Sequence, residues 1–305
     1  MLRHRILSLL PSAVVRQLRR RKKDVRRLRY RLRERGSSVS LSQDDVAAAL
    51  REAGLSEGDG VFVHSAMSTF GKIDGGPPTV IAALEEVLGP DALIAMPAFP
   101  LVGGGEEYLS TDPVFDVRNT PSTMGAITEH FRKLPDVARS LHPTHSVAAR
   151  GPGAAELVAD HADAATPFGE GTPFARMVDR GLHQVWFGTG IMIFTLYHTF
   201  ESLYPGGFPI DVFHERRFAA RCIDEHGRER TVSTLVHDPG VSARKTSSRE
   251  EMRRQLTANG VLRVAELRRG EILAARMPEL MRELDAMLAQ GLTIYDIELD
   301  RVESA

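Results

Sequence analysis

The sequence predicts an α/β fold, a mixed central sheet flanked by helices, with an antiparallel hairpin insertion. The first observation behind this prediction is that short apolar runs alternate with segments of helical periodicity from Leu41 onward. The second is a pair of β-rich runs on either side of His226-Gly227, which is typical of a hairpin. The third is size, because 305 residues, 42% of them hydrophobic, can bury one large core or two small ones.

Cap residues delimit the predicted helices in the first part of the chain. The segment LSQDDVAAALREAGL begins with Ser42 as a helix cap and closes on Gly54. The apolar strand GDGVFVHSAM follows, and the helix GGPPTVIAALEEVLG has Thr79 near its start. The next apolar strand is DALIAMPAF.

The alternation continues through the middle of the chain. STMGAITEHFRKL predicts a helix, HSVAARG a strand, GAAELVADH and TPFARMVDRG two helices, and QVWFGTG a strand. Between Arg217 and His237 we expect an antiparallel hairpin added to the central sheet. The segment MPELMRELDAMLAQGLTIYDIEL predicts a helix closed by Gly291 and then a strand.

Charge divides the chain into two parts. Residues 1–36 carry fourteen Lys and Arg residues against Asp24 and Glu34, a net charge of +12, which leaves the rest of the chain at -13. Apolar residues within this basic segment recur at helical spacing, at Leu18, Val25, Leu28 and Leu32. We therefore expect a basic helical N-terminal extension over 1–36 and one α/β domain over 37–305.

The basic extension has several readings. It is either a solvated appendage or a docking segment for an anionic membrane surface or an acidic partner such as an acyl carrier protein. Nucleic acid is the least favoured partner, because Tyr30 is the only aromatic residue of the extension that could stack on a base. A monomer and a homodimer are both compatible with the sequence.

Composition and missing motifs exclude several protein classes. Cys222 is the single cysteine, which rules out an intrachain disulfide and a cysteine-built metal site and suits a reducing compartment. No run approaches the ~18 apolar residues of a membrane-spanning helix, and the first residues lack a signal-peptide cleavage pattern, so we expect a cytoplasmic protein. The signatures of P-loop, nucleophile-elbow and dinucleotide-binding proteins do not occur.

Two glycine- and hydroxyl-bearing turns predict a site for phosphate groups. In VFVHSAMSTFG the strand ends at His64 and leads Ser65, Ser68 and Thr69 into a turn, whose amides and hydroxyls suit phosphate. The second turn lies just before the start of a helix, and its glycines allow a ligand to come close to the backbone. It consists of Gly169, Gly171, Thr172 and Pro173.

Two further segments carry candidate acid–base residues. In SLHPTHSVAARG, His142 stands beside a proline and His145 enters a strand. In FTLYHTFESLY, His198 and Glu201 stand at i and i+3, which places them on one face of a helix. Imidazole has a pKa of about 6.5 and suits proton abstraction, and a carboxylate can orient it.

Histidines also raise the alternative of a metal-dependent hydrolase. Five of them lie in the segments above, at positions 64, 142, 145, 161 and 198. Their spacings match no standard ligand motif, and His198-x-x-Glu201 lacks the second histidine of a zinc protease. We therefore expect no metal.

The motifs together resemble the aminoglycoside 3-N-acetyltransferase family, also called the antibiotic acetyltransferases. The resemblance runs in order through VFVHSAMSTFGKIDGG, LIAMPAF, FDVRNTPSTMGAITEHFR, RSLHPTHSVAARGP, ADHADAATPFGEGTPFARM and LYHTFE. It implies a fold distinct from that of the large N-acetyltransferase superfamily. It also implies acetyl-CoA as acyl donor and direct transfer of the acyl group to an amine.

The resemblance assigns roles to individual residues. Its H-P-x-x-S histidine falls on His142, the expected general base, and Glu201 is the expected orienting partner or amine anchor. His198 belongs to the same late motif, and His145 is a further candidate three residues after His142. The turn from His64 to Thr69 and the segment from Gly169 to Pro173 are implied to line the coenzyme side.

The sequence leaves several amine acceptors open. An acidic stretch, GGGEEYLSTDPVFD, suits a cationic sugar through Glu106, Glu107, Asp112 and Asp116, although such loops are commonly only solvated. An aminoglycoside, an amino sugar and another natural-product amine remain open as acceptors. The donor is acetyl-CoA, another acyl-CoA, or a carrier-protein thioester docked by the basic extension.

Overall fold

The structure is a computed structural model that describes residues 40–101, 103–245 and 248–295. Its strands are β1 Val61–Ser65, β2 Ile94–Pro97, β3 Val114–Asp116, β4 Ala138–Arg139, β5 Val147–Arg150, β6 His183–Phe187, β7 Phe218–Ile223, β8 Glu229–Thr234, β9 Arg263–Leu267 and β10 Gly270–Arg276. Its α-helices are α1 Gln43–Glu52, α2 Pro77–Leu88, α3 Gly105–Leu109, α4 Ala126–Phe131, α5 Ala154–Val158, α6 Pro173–Asp179, α7 Thr195–Leu203, α8 Pro239–Ala243, α9 Arg249–Ala258 and α10 Met277–Ala289.

Seven strands form the central sheet in the order β4-β5-β2-β1-β6-β10-β9. The central strand β1 is parallel to both neighbours, β2 and β6, whereas β5 and β10 run antiparallel to theirs. The carboxyl ends of β1, β2 and β6 therefore open on one edge of the sheet, where β5 begins. In open α/β sheets this edge is the usual place for a ligand.

Helices cover both faces of the sheet and build two cores. Alternation along β1 sends Val61 and Val63 to one face, where they pack with α1, α2 and α4. Phe62 points to the other face, toward α5, α6, α7, α9 and α10. The predicted α/β fold, a mixed sheet between helices, is confirmed.

Local sequence signals position most of these elements as predicted. Ser42 caps α1, since its hydroxyl accepts a hydrogen bond from the amide of Asp45 while the Asp45 carboxylate accepts one from the Ser42 amide. The strand pair β9 and β10 was not predicted. Its connecting turn has Arg268 at φ 58, a left-handed conformation for which arginine is no sequence signal.

The hairpin prediction is right in pairing and wrong in placement. Strands β7 and β8 pair antiparallel, but they join β3 in a separate three-stranded sheet and do not extend the central one. The small sheet buries a core of its own, formed by Phe115, Cys222 and Val232 with Val117 beside them. Strands β4 and β9 occupy the two edges of the central sheet.

Two predictions lie outside the described residues. They are the basic helix over 1–36, with its boundary at 36/37, and most of the strand expected after Gly291. The described part of that strand, up to Tyr295, forms an isolated bridge between Tyr295 and Lys245 and no strand. Among the helices that the structure describes, none combines the length and the apolar character needed to cross a membrane.

Candidate active site

The turn after β1 is tied to the end of β6. Thr69 donates a 2.8 Å hydrogen bond from its hydroxyl to the Gly188 carbonyl oxygen. Ser68 and Thr69 are exposed, and Ser65 is half-buried at the end of β1. The predicted phosphate turn thus stands at the edge of the sheet where its parallel strands end, and the Thr69 hydroxyl already donates a hydrogen bond there.

His64 lies beneath this turn, inside the protein. Its ring meets Phe62 edge-on with the ring centres 5.0 Å apart, and within the described chain its Nε2 atom has no hydrogen-bond partner. Burial lowers the pKa of His64 to about 3. The imidazole is therefore neutral at pH 7 and is not an exposed ligand for phosphate.

Helix α7 supplies the central pair of the site. The indole of Trp186 donates a 2.6 Å hydrogen bond to the Ile193 carbonyl oxygen and so holds the loop before the helix. On α7, Nδ1 of His198 lies 2.7 Å from Oε2 of Glu201. The shared helix face predicted from the i, i+3 spacing is confirmed.

Glu201 is a buried carboxylate with three partners. The hydroxyl of Tyr295 donates a 2.6 Å hydrogen bond to its Oε1, and Nε2 of His237 lies 3.5 Å from its Oε2. Burial alone would raise the pKa of Glu201, but the interactions of its carboxylate with His198 and His237 outweigh burial and lower that pKa to about 2. Glu201 is therefore ionised at neutral pH.

His237 and Tyr295 are site residues that the sequence did not reveal. The rings of His237 and His198 are 4.0 Å apart. One signal for His237 was present, because it ends a β-rich run just before the helix-opening pair Asp238-Pro239. No comparable signal exists for the Tyr295 hydroxyl.

The second nitrogen of His198 faces an amine. Because the Glu201 carboxylate accepts a hydrogen bond from Nδ1–H, the lone pair of neutral His198 is on Nε2, and this atom lies 3.2 Å from Nζ of Lys245. Burial lowers the pKa of His198 well below its ordinary value, and the charge of His237 lowers it further. The result is a neutral imidazole, oriented by a carboxylate, with its lone pair directed at an amino group.

His142, the predicted base, is buried with both ring nitrogens engaged. Its Nδ1 accepts hydrogen bonds from the amides of Thr144 (3.3 Å) and His145 (3.0 Å). The proton is therefore on Nε2, which donates to the Thr234 hydroxyl at 3.0 Å. Burial and the neighbouring His161 and His145 hold the pKa of His142 well below 6.5. In this geometry His142 positions the loop that carries His145 and has no lone pair free for a substrate.

His145 is half-buried and borders the same cluster. Its Nδ1 lies 2.9 Å from the Thr144 hydroxyl, and its ring lies edge-on to Phe99 and Phe168. The ring of His161 stacks on His142 at 4.4 Å, and its Nε2 donates to the Pro167 carbonyl oxygen. His145 thus faces the site, whereas His161 supports it from behind.

The segment from Gly169 to Pro173 follows Phe168, whose ring stands 5.4 Å from His198 and 5.7 Å from His237. The Thr172 hydroxyl caps α6 by accepting from the Ala175 amide, and it donates to the Gly169 carbonyl oxygen. Gly171 has φ +74 and open space where a side chain would project. The segment therefore offers backbone to a ligand, while Thr172 is committed to the helix.

The predicted acidic loop is not a loop throughout. Glu106 and Glu107 lie in α3, and Glu106 pairs with Arg216. Asp112 is exposed in a turn, whereas the Asp116 carboxylate accepts hydrogen bonds from the backbone of residues 118–119 and from the Asn119 side chain. Asp116 is thus a turn-stabilising residue, because its carboxylate already has local donors.

Three of the site residues are near enough to one another to ligate a metal ion. One ligand atom from each of His198, Glu201 and His237 lies within 4.8 Å of the others. Two His and one carboxylate are a common zinc set. Two contacts argue against a metal ion at this position. His198 and Glu201 are hydrogen-bonded to each other at 2.7 Å, and the ammonium group of Lys245 lies beside His198.

Comparisons with known proteins identify the family. The family model for aminoglycoside 3-N-acetyltransferase matches residues 62–289, more than half of the chain. Aminoglycoside N(3)-acetyltransferase VII of Streptomyces paromomycinus is 32% identical over 182 residues, which cover 55% of this chain and 62% of that relative. Aminoglycoside N(3)-acetyltransferase IX of Micromonospora chalcea is 31% identical over 167 residues, which cover 50% of this chain and 59% of that relative. The chain spans about three fifths of the length of these curated relatives.

Solved structures share the fold. AAC-IIIb in a binary complex with CoASH has a TM-score of 0.70 at 23% identity, covering 85% of this chain and 100% of that chain. AAC-VIa bound to sisomicin has a TM-score of 0.69 at 22% identity, and the match covers 84% of this chain and 100% of that chain.

The fold and the polar cluster define a three-layer α/β protein with a buried histidine and carboxylate site at the edge where its parallel strands end. The chain belongs to the aminoglycoside 3-N-acetyltransferase family. The family resemblance predicted from the motifs is confirmed.

Proposed function

We propose that this protein transfers an acetyl or other acyl group from a coenzyme A thioester directly to an amine of an aminoglycoside, amino sugar or related natural product. The observation that carries the proposal is the lone pair of His198 Nε2, oriented by buried Glu201 and directed at an amino group. The family of the chain and the fold of its coenzyme-bound relative support the donor.

In the proposed mechanism His198 is the general base. An alkylammonium has no lone pair for attack, so Nε2 of His198 first accepts a proton from the acceptor amine while the Glu201 carboxylate stabilises the imidazolium. The amine attacks the thioester carbonyl, and its nitrogen loses a second proton to solvent as the C–S bond breaks. The leaving thiolate takes the proton held by His198. His142 positions the loop of His145, and His145 borders the acceptor.

The tetrahedral intermediate requires hydrogen-bond donors at its oxyanion. Amides of the turn after β1 and the hydroxyls of Ser65 and Ser68 lie at the correct edge of the sheet, and one such donor contributes about 3 kcal/mol. The same turn and the backbone at Gly169 and Gly171 are proposed to bind the coenzyme.

The proposed acceptor is cationic, as sisomicin is in the complex with the AAC-VIa relative. Ionised Glu201 and the carboxylates of Glu107 and Asp112 are proposed to supply negative charge for it, whereas Arg216 offsets the charge of Glu106. Aminoglycosides and simple amino sugars are therefore the acceptors to test first.

Thermal shift and thiol release test this proposal. Acetyl-CoA at 100 times its dissociation constant should stabilise the folded protein by about 2.7 kcal/mol. Sisomicin and a panel of amino sugars should then release free thiol from acetyl-CoA, and His198→Ala should not support this release. Absence of stabilisation by acetyl-, propionyl- and free coenzyme A would overturn the proposal.

A metal-dependent hydrolase is the second candidate function, favoured only by the His198, Glu201 and His237 cluster. It predicts about one zinc per chain in purified protein and activity lost on chelation. The acyltransferase proposal predicts thiol release that survives dialysis against EDTA. Elemental analysis with this assay before and after dialysis separates the two.

A further inference from the structure

Lys245 brings a primary amine of the protein itself to the proposed base. Its Nζ lies 3.2 Å from Nε2 of His198 and 5.9 Å from the centre of the Tyr295 ring. The backbone of Lys245 is held in place by an antiparallel bridge to Tyr295, the residue that also binds Glu201. The position of this amine therefore rests on the same residues that build the site.

The surroundings of Lys245 differ from those of an ordinary surface lysine. The side chain is partly buried, and burial lowers the pKa of Lys245 even though the charge of Glu201 opposes this. A larger share of its amine is thus unprotonated and nucleophilic at a given pH. Lys72 and Lys133, in contrast, are exposed and paired with Asp74 and Glu129.

The chemistry of Lys245 is also that of the proposed acceptor. A primary alkylamine within hydrogen-bond distance of His198 Nε2 is the arrangement that an acceptor amine must reach before it attacks a thioester. Holding the two groups in one molecule raises their effective concentration far above that of a free amine.

We propose that Lys245 is an acyl acceptor within the protein, a self-acylation site that is used when no external amine occupies the position beside His198. This inference rests on the proposed function, since the donor is the same coenzyme A thioester. The Lys245 nitrogen forms an amide bond to the acyl carbon, and the C–S bond of the thioester breaks. The proton lost by Nζ passes through His198 to the departing thiolate, which leaves as coenzyme A thiol.

Acylation would also close the site. The amide formed at Lys245 carries no positive charge and is not a nucleophile, and its acyl group adds bulk beside His198. An external acceptor must displace Lys245 before it reaches the base, so acceptor and Lys245 compete for the same place. Protein held with donor alone should therefore lose transferase activity in step with modification of Lys245.

Peptide mapping by mass spectrometry tests this inference on the full-length protein. The protein is incubated with acetyl-CoA in the absence of an acceptor, and acetylation of Lys245 is followed over time with Lys72 and Lys133 as internal controls. We expect Lys245 to gain one acetyl group at least about tenfold faster than either control lysine, as a positioned amine should. The same protein treated with acetic anhydride should show the reverse order, because that reagent acts first on exposed amines.

Three further measurements make the outcome decisive. Sisomicin or another accepted amine should slow the modification of Lys245, and His198→Gln should slow it relative to Lys72. In Lys245→Arg, which retains the positive charge, incubation with donor alone should no longer cause progressive loss of activity.

Two results would overturn the inference in different ways. If the enzyme acetylates an external amine while Lys245 stays unmodified, the self-acylation site is wrong and the proposed function stands. If neither an external amine nor Lys245 is acylated by any coenzyme A thioester tested, both are wrong.

Discussion

The hydroxyl of Tyr295 donates a 2.6 Å hydrogen bond to Oε1 of Glu201, which leaves Oε2 for His198 and His237. The two oxygens of the carboxylate thus have separate tasks. One is fixed from the far end of the described chain, and the other holds the imidazole that we propose as base. The orientation of His198 therefore depends on a residue that no substrate needs to touch.

Tyr295→Phe should lower kcat with little change in KM for acetyl-CoA. The variant keeps the packing of the ring and removes only the donor to a buried, ionised carboxylate, a hydrogen bond that contributes about 1.5–3 kcal/mol. We expect kcat to fall about tenfold, because Glu201 gains freedom and His198 is oriented less well. Steady-state kinetics with chemical denaturation checks this, and an unchanged kcat would contradict a positioning role.

His198→Ala should mainly impair catalysis, whereas His142→Ala should mainly impair the stability of the fold. His198→Ala removes the proposed base, so kcat should fall by about 100-fold or more while acetyl-CoA affinity changes little. Its rate should recover at high pH, where the acceptor amine is already neutral.

His142→Ala instead leaves the buried amides of Thr144 and His145 without an acceptor, which costs about 1–3 kcal/mol of folding free energy for each unsatisfied group. Its melting temperature should fall more than that of His198→Ala, and its kcat less. Kinetics and melting curves of both variants are the measurement, and the opposite pattern would return the role of base to His142.

Acid should destabilise the folded protein through its buried histidines at a higher pH than through Glu201. Burial lowers the pKa of His64 to about 3 and that of His161 to about 4, and it also lowers the pKa values of His142, His145 and His198. In the unfolded chain these histidines bind protons near pH 6.5, so below this pH the unfolded state holds more protons than the folded one.

The free energy of unfolding should therefore decrease from pH 7 to pH 5, by on the order of 1 kcal/mol per pH unit for each such histidine. The lowered pKa of Glu201 adds its loss of stability only further down, as the pH falls from 4.5 toward 2. Urea denaturation across this range is the measurement. His64→Phe should make the decrease with falling pH shallower. A free energy of unfolding that does not change between pH 7 and pH 5 would contradict the burial of neutral histidines.

Deleting residues 1–36 should leave catalysis with a free acyl-CoA nearly intact. All candidate site residues lie between 64 and 295, after the basic segment. Turnover of the shortened protein should stay within a few fold of the full chain. If the segment docks an acidic carrier protein or an anionic surface, that binding should be lost on deletion and weaken with salt in the full chain, since exposed charges are screened over ~10 Å at 0.1 M. Loss of coenzyme binding on deletion would place the domain boundary elsewhere.

Sequence reasoning succeeded where structure is determined by nearby residues. The contact of His198 with Glu201 follows from the geometry of one helix turn, and the cap at Ser42 follows from the pattern of the next few residues. It failed where the partner is distant. Tyr295 stands 94 positions from Glu201, and only tertiary packing brings its hydroxyl to the carboxylate.

His142 shows a second limit of the sequence. The H-P pair singled it out correctly as a residue with a defined environment, but residue type does not reveal which ring nitrogen is free. That depends on the Thr234 hydroxyl and on two backbone amides, which are local only in part. The same limit applies to Thr172, whose hydroxyl is used by its own helix.

The insertion of β10 between β6 and β9 has a consequence for synthesis on the ribosome. Until residues Gly270 to Arg276 have left the ribosome, β6 is an edge strand. The backbone of its apolar residues, Val185 to Phe187, then lacks the hydrogen-bond partners that β10 later supplies. A nascent chain therefore exposes an aggregation-prone edge strand while more than eighty further residues are synthesised. Chaperone dependence and aggregation should accordingly be greatest for chains stalled before β10 and should decline once that strand has paired.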